Sequence, residues 1–240
     1  MIGRRILISV ACLSIVSRGA LAYTYSQVCN AGSTTYTTSI SCIGDVPTKG
    51  AVVVAHSSDN TTGYSITSSW ASSVPLSSGV EVNNGADLDG VGRPFSVPGA
   101  QTGVTWTGSF STNVRIKNIC VSHVAQARDV TLAQTQTAIG SGTSVSVPAA
   151  TASCPAGYGA ATIASVMVYS TNSAPTLTGT GTQLCGISNC VSATCRATFQ
   201  HGYDGGGAFS GTLSVSATWA AIVYRLCLKR NMAGWVGTTD

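Results

Sequence analysis

Nine cysteines are the residues with the most chemistry to offer in this chain of 240. Cys12 sits in an apolar leader, and the other eight are Cys29, Cys42, Cys120, Cys154, Cys185, Cys190, Cys195 and Cys227. An even set behind an export signal predicts four disulfides, because thiols pair and stay paired in an oxidising compartment. Eight cysteines permit on the order of 100 pairings. Spacing singles out one: Cys29 and Cys42 enclose a Ser/Thr-rich, hairpin-like stretch with no other cysteine nearby. Cys185, Cys190 and Cys195 repeat as C-x4-C-x4-C, which lacks the close pairs that zinc sites use, so they too are expected in disulfides.

His56, His123 and His201 are the only histidines, and Glu81 is the only glutamate among eight acidic residues. Proton-transfer catalysis needs a positioned group that titrates near the working pH, so this stock is small. No G-x-S-x-G occurs, and no carboxylate pair is spaced for glycoside hydrolysis. A Ser-His-Asp set drawn from so many serines would rest on free choice, and the expectation is that the chain is not an enzyme.

Two loops could hold a ligand. Asn83-Asn84-Gly85-Ala86-Asp87-Leu88-Asp89-Gly90 offers oxygen donors from Asn83, Asp87 and Asp89 around a glycine turn, as a calcium loop does. It lacks the distal bidentate Glu of an EF-hand, and an Asx-rich turn is the simpler expectation. No other cofactor is expected. His201-Gly202-Tyr203-Asp204-Gly205-Gly206-Gly207 reads as an exposed, mobile hairpin tip, since Asp-Gly supplies positive φ and the glycine run adds little stiffness. As a recognition loop it would use Tyr203 for stacking and His201 and Asp204 for polar contacts. Sugar rings could also stack on tryptophan: Trp106 and Trp219 fall on apolar strand faces and are expected in the core, leaving Trp70 and Trp235 as surface candidates. Asn60-Thr61-Thr62 is a glycosylation sequon, of use in a eukaryotic source.

The elements that must carry these residues are strands. Serine (32) and threonine (30) make up about a quarter of the chain, while 8% of it is charged and 44% hydrophobic. Charge this sparse, against roughly 25% in ordinary domains, argues against nucleic-acid binding, which needs Lys and Arg to displace counterions, and against disorder. Residues 1–22 read as a signal peptide: Arg4 and Arg5, an apolar stretch from Ile6 to Val16, and Ala20-Leu21-Ala22 before the cut. That stretch is too short to span a bilayer, so no transmembrane anchor is expected in the mature chain. Removing Arg4, Arg5 and Arg18 leaves 12 − 3 = 9 basic against 8 acidic side chains.

Period-two alternation dominates, and no amphipathic helix is convincing. Val104, Trp106, Phe110, Val114 and Ile116 alternate with Thr105, Thr107, Ser109, Ser111, Asn113, Arg115 and Lys117, a half-buried strand with a bend expected at Gly108. Leu213, Val215, Ala217, Trp219, Ala221 and Val223 alternate with hydroxyls until Ala220, after which both faces turn apolar and deeper burial is expected. Shorter strands are expected at Val52–Ala55, Tyr64–Trp70, Val130–Ala133, Val145–Val147 and Ile163–Tyr169. The fold class is therefore all-β: a disulfide-linked antiparallel sandwich or jelly-roll, as one body or as two β-regions. The Gly92–Gly99 punctuation places the division near residue 100, giving an N-terminal β-region over 23–100 with a loop-rich connection and a disulfide-rich C-terminal β-domain over 101–240.

These features predict a secreted or cell-surface protein. The leading expectation is a structural or adhesive subunit of the pilus, filament or surface-layer type, acting through β-edges and exposed loops on its own copies or other surface proteins. The alternative is a secreted carbohydrate-binding module with glycans as ligands.

Overall fold

The computed structural model describes residues 23–58, 63–85, 87–125 and 127–230. The expected signal peptide with Cys12, the Asn60 sequon and Trp235 lie outside the described residues. The described chain is all-β, with fifteen strands and no helix, so no helix there is long and apolar enough to cross a membrane.

Every strand pairing is antiparallel, and the strands form three sheets. Sheet A has the order β1 (Tyr25–Ser33), β9 (Lys117–Ala125), β3 (Gly50–Ser58), β7 (Asp89–Val97), with β5 (Val74–Pro75) and β6 (Val80–Asn83) both on the outer side of β7. Sheet B is β2 (Thr37–Val46), β8 (Gln101–Val114) and β4 (Tyr64–Ser68). Sheet C runs β10 (Ala127–Val147), β15 (Phe209–Arg230), β11 (Tyr158–Ser170), β14 (Thr194–Asp204), β13 (Thr182–Val191), with β12 (Leu177–Gly179) also on β15. β8 and β9 follow residue 100 yet pair with β1, β2, β3 and β4. The chain thus passes from sheets A and B to sheet C between β9 and β10, not near residue 100.

The sheets stack because sheet A is apolar on both faces. Val52, Val54, Val91 and Val121 pack with Ile40, Ile66, Trp106 and Phe110 of sheet B. Ala51, Val53, Ala55 and Val124, pointing the other way, pack with Ile163, Met167, Ile222 and Tyr224 of sheet C. A strand buried on both sides reads as a continuous apolar run, and β3 is buried along its whole length. Glycines set the spacing where β7 crosses sheet C: a Cβ on Gly92 would stand 2.5 Å from Tyr224 Oη, and one on Gly90 would overlap Met167.

Sheet C also curls over its own outer face. Between Gly142 and Ser144 of β10 the ladder jumps from Ala217 to Thr212 of β15, and beyond that jump Val145, Val147, Leu177, Phe209 and Leu213 fold over the outer face of β11 and β14. Alternation along β15 turns to continuous burial at Ala220, as expected, where the strand lies between two apolar layers. The ladder passes through Gly108 in register with both neighbours, so no bulge interrupts pairing there. The glycine's missing side chain leaves room for His56, whose Cδ2 would stand 2.9 Å from a Cβ there.

Candidate functional site

All eight described cysteines are paired: Cys29–Cys42, Cys120–Cys185, Cys154–Cys227 and Cys190–Cys195. The first does not staple a hairpin. Its two strands lie in different sheets, so it ties β1 of sheet A to β2 of sheet B. Cys120–Cys185 ties sheet A to sheet C, and Cys190–Cys195 crosses the β13–β14 hairpin between directly opposed residues. Four disulfides point to an oxidising, extracellular environment.

The loop expected at 201–207 is mostly strand. His201, Tyr203 and Asp204 close β14 in register with Ala164, Thr162 and Ala161 of β11, leaving a turn from Gly205. His201 is buried edge-on to Phe209, with ring centroids 5.4 Å apart, and burial lowers its pKa. Tyr203 is buried too, its hydroxyl donating to the Gly207 carbonyl at 3.2 Å and its pKa pushed up to about 12 by desolvation. Neither offers a stacking or contact face to a ligand, because β14 is covered on both sides. Asp204 is exposed, and it receives the chain's own N-terminal segment: Tyr25 Oη donates to it at 2.9 Å, and the Tyr23 amide lies 3.3 Å from both carboxylate oxygens.

Asn83 closes β6 opposite Asp89, which opens β7, and the Asn84 amide donates to the Leu88 carbonyl at 3.0 Å in the turn between them. Among the described residues no group of three His, Cys, Asp or Glu side chains is gathered to hold a metal. Asp89 is buried, whereas the exposed Asp87 uses its backbone carbonyl to accept from Arg196 Nη2 at 2.6 Å. Asn84 Nδ2 bonds the carbonyls of Gly140 and Trp219, both at 2.8 Å, pinning this turn to sheet C. Trp70 is half-buried against the core between sheets A and B, and Trp106 and Trp219 are core residues.

His56 and His123 are wholly buried in sheet A. Desolvation lowers their pKa values to about 3 and about 4. Sequence reasoning did not find the polar row between sheets A and C. There Ser122 Oγ donates to Gln200 Oε1 at 2.6 Å, Gln200 Nε2 donates to the Val53 carbonyl at 3.1 Å, and Thr198 meets Ser57 at 2.8 Å. Polar residues inside fully buried strands were the signal for it, since each needs a partner.

Two shallow hollows mark the curl of sheet C. One of about 320 Å³ is lined by Ser141, Tyr169, Ser170, Thr171, Ser216 and Thr218 among others. The other, about 490 Å³, is lined by Ser144, Ser146, Thr178, Ser210 and Thr212 with small neighbours. The chain matches no protein-family model, no curated protein and no solved structure.

Proposed function

We propose that this protein is a secreted structural or adhesive subunit that works through strand edges and hydroxyl-rich sheet faces. The observation that carries this reading is β10, a 21-residue strand at the edge of sheet C that is uncharged from Val130 to Val147. Natural sheets blunt their edges with charge, Pro, bulges or short strands because an open edge recruits another strand, and between its register shifts at Leu132/Gln134 and Gly142/Ser144 this one carries neither charge, Pro nor bulge. The burial of all three imidazoles supports the same reading, since a general base must reach a substrate proton. Native material viewed by electron microscopy should show regular oligomers or filaments; dispersed monomers would overturn the subunit reading.

The hollows on sheet C favour one second reading, a carbohydrate-binding module, because their hydroxyl-rich walls suit sugar hydroxyls and Tyr169 borders one of them. Saccharide sites place a few polar groups in a concave surface. On that reading the protein stays monomeric and binds defined glycans on an array, with affinity lost on Tyr169→Ala.

A further inference from the structure

The margins of the stack differ in how their edges are treated. Sheet A ends on one side at β1, which has a register shift at Gln27/Cys29, a disulfide to β2, and an Asn30 Nδ2 contact to the Gly186 carbonyl of β13 at 3.4 Å. On its other side the edge is broken into β5, two residues long and ending in Pro75, and β6, four residues long and carrying Glu81. Sheet B ends in the five-residue β4 and in β2, which is irregular at both ends. Of the two edges of sheet C, β13 lies beside β1 and carries two disulfides. β10 differs in length: among the described strands it pairs with β15 alone, and between its register shifts at Leu132/Gln134 and Gly142/Ser144 its ladder runs regularly from Gln134 to Gly142, with no disulfide on the strand.

Its free side can be assigned residue by residue. One Asn84 nitrogen reaches the carbonyls of both Gly140 and Trp219, and these residues are ladder partners. Two carbonyls come that near one atom only if they face each other across the pair, so Gly140 exchanges hydrogen bonds with β15. The alternate residues Thr137, Ile139 and Ser141 must then turn their N–H and C=O groups outward. Their side chains are exposed, and Ile139, at 55%, is one of the most exposed large apolar residues described.

We propose that β10 pairs antiparallel with β10 of a second copy about a two-fold axis at Ile139, an inference that rests on the subunit reading and names its partner and register. A two-fold contact must be self-complementary, and this row is. Ile139 meets Ile139, and Thr137 meets Ser141 on either side, so a β-branched apolar pair is flanked by hydroxyl pairs. Such cross-strand pairs stabilise a ladder, and like charges opposite each other would destabilise it; the stretch from Val130 to Val147, which this register pairs with itself, carries no charge. Centring the axis on Thr137 instead would set Ile139 against Thr135, and centring it on Ser141 would run into the irregularity at Gly142. Two six-stranded sheets join edge to edge. The contact is small, at the weak end below about 1,200 Å², so the dimer depends on concentration.

The test is cross-linking with the four native disulfides kept intact. Opposed residues of a hydrogen-bonded pair lie about 5.5 Å apart at Cα, within disulfide reach. Ile139→Cys should therefore oxidise to a covalent dimer. Thr137→Cys alone should not, whereas a mixture of Thr137→Cys and Ser141→Cys chains should. By sedimentation, Ile139→Lys should weaken self-association by about tenfold or more, because like charges would stand opposed. A wild-type chain that self-associates without Ile139→Cys cross-linking overturns this edge and register but leaves the subunit reading standing. A wild-type chain that stays monomeric at millimolar concentration overturns the pairing, with microscopy of native material deciding the subunit reading separately. An Ile139→Cys thiol shielded from maleimide in the monomer means that the chain's own segments cover the edge, and overturns the second copy as occupant.

Discussion

His56 stands between sheets A and B with its ring edge-on to Phe110 at 4.9 Å, and neither of its nitrogens has a hydrogen-bond partner among the described residues. Desolvation is the cause of its lowered pKa and the first cause for His123. Above about pH 6.5 both imidazoles are neutral in the folded and the unfolded chain, and their burial costs nothing in proton linkage. Below it the unfolded chain binds protons that the folded one refuses. Stability is then lost by up to about 1.4 kcal/mol per pH unit for each histidine, as pH falls from about 6.5 towards the folded values near 4 and 3. The unfolding midpoint should drop over this window, while the NMR signals of both rings stay flat between pH 7 and 5; a ring titrating near 6.5 would contradict its burial. Gln200 makes a second residue-scale case. Gln200→Ala strips partners from Ser122 and the Val53 carbonyl in a buried layer and should cost about 3 kcal/mol in chemical denaturation, the scale of unsatisfied buried polar groups.

Among the elements, the disulfides differ in what they hold. Cys120–Cys185 closes 65 residues and joins two sheets, whereas Cys190–Cys195 closes 5 within one hairpin already held by its ladder. Loop-closure entropy grows with the logarithm of length, so removing the first by paired Cys→Ala substitution should cost about 4 kcal/mol and the second about 2. Thermal denaturation of the two double variants checks the order; equal losses would show that native packing, not chain entropy, sets their worth. The expected hairpin at Cys29–Cys42 illustrates the limit of spacing as evidence. Thirteen residues of separation suit a hairpin and a sheet-to-sheet corner equally, and partner strands far along the chain, β9 and β8, decided between them.

At the scale of the whole molecule, the N-terminal segment and the β10 edge lie at opposite margins. β1 sits beside β13 and is clasped by Asp204, while β10 lies at the far side of sheet C. Deleting Tyr23–Val28 should therefore lower the melting temperature, through lost pairing to β9 and the lost Asp204 contacts, without changing the self-association of the folded monomer. Circular dichroism and sedimentation on one sample measure both. Assembly lost from a monomer that still melts cooperatively would instead show that β1 is exchanged between subunits.

Local pattern by itself determined that this chain is β, that eight cysteines pair, and that Trp106 and Trp219 are inside. Alternation and cysteine count are properties a chain carries before it folds, and each has one low-energy outcome. Tertiary structure decided which cysteine meets which, where sheets A and C divide the chain, and that His201 and Tyr203 are interior. The stretch from His201 to Gly207 has the composition of a free turn, yet β11 pairs with its first residues and β15 follows, so its polar groups were drawn into a sheet. Asn84 shows the same physics in reverse: a turn residue by composition, it is committed to two carbonyls of sheet C that lie 56 and 135 residues away along the chain. Contacts at such separations are set by how the sheets stack, and no window of local sequence contains them.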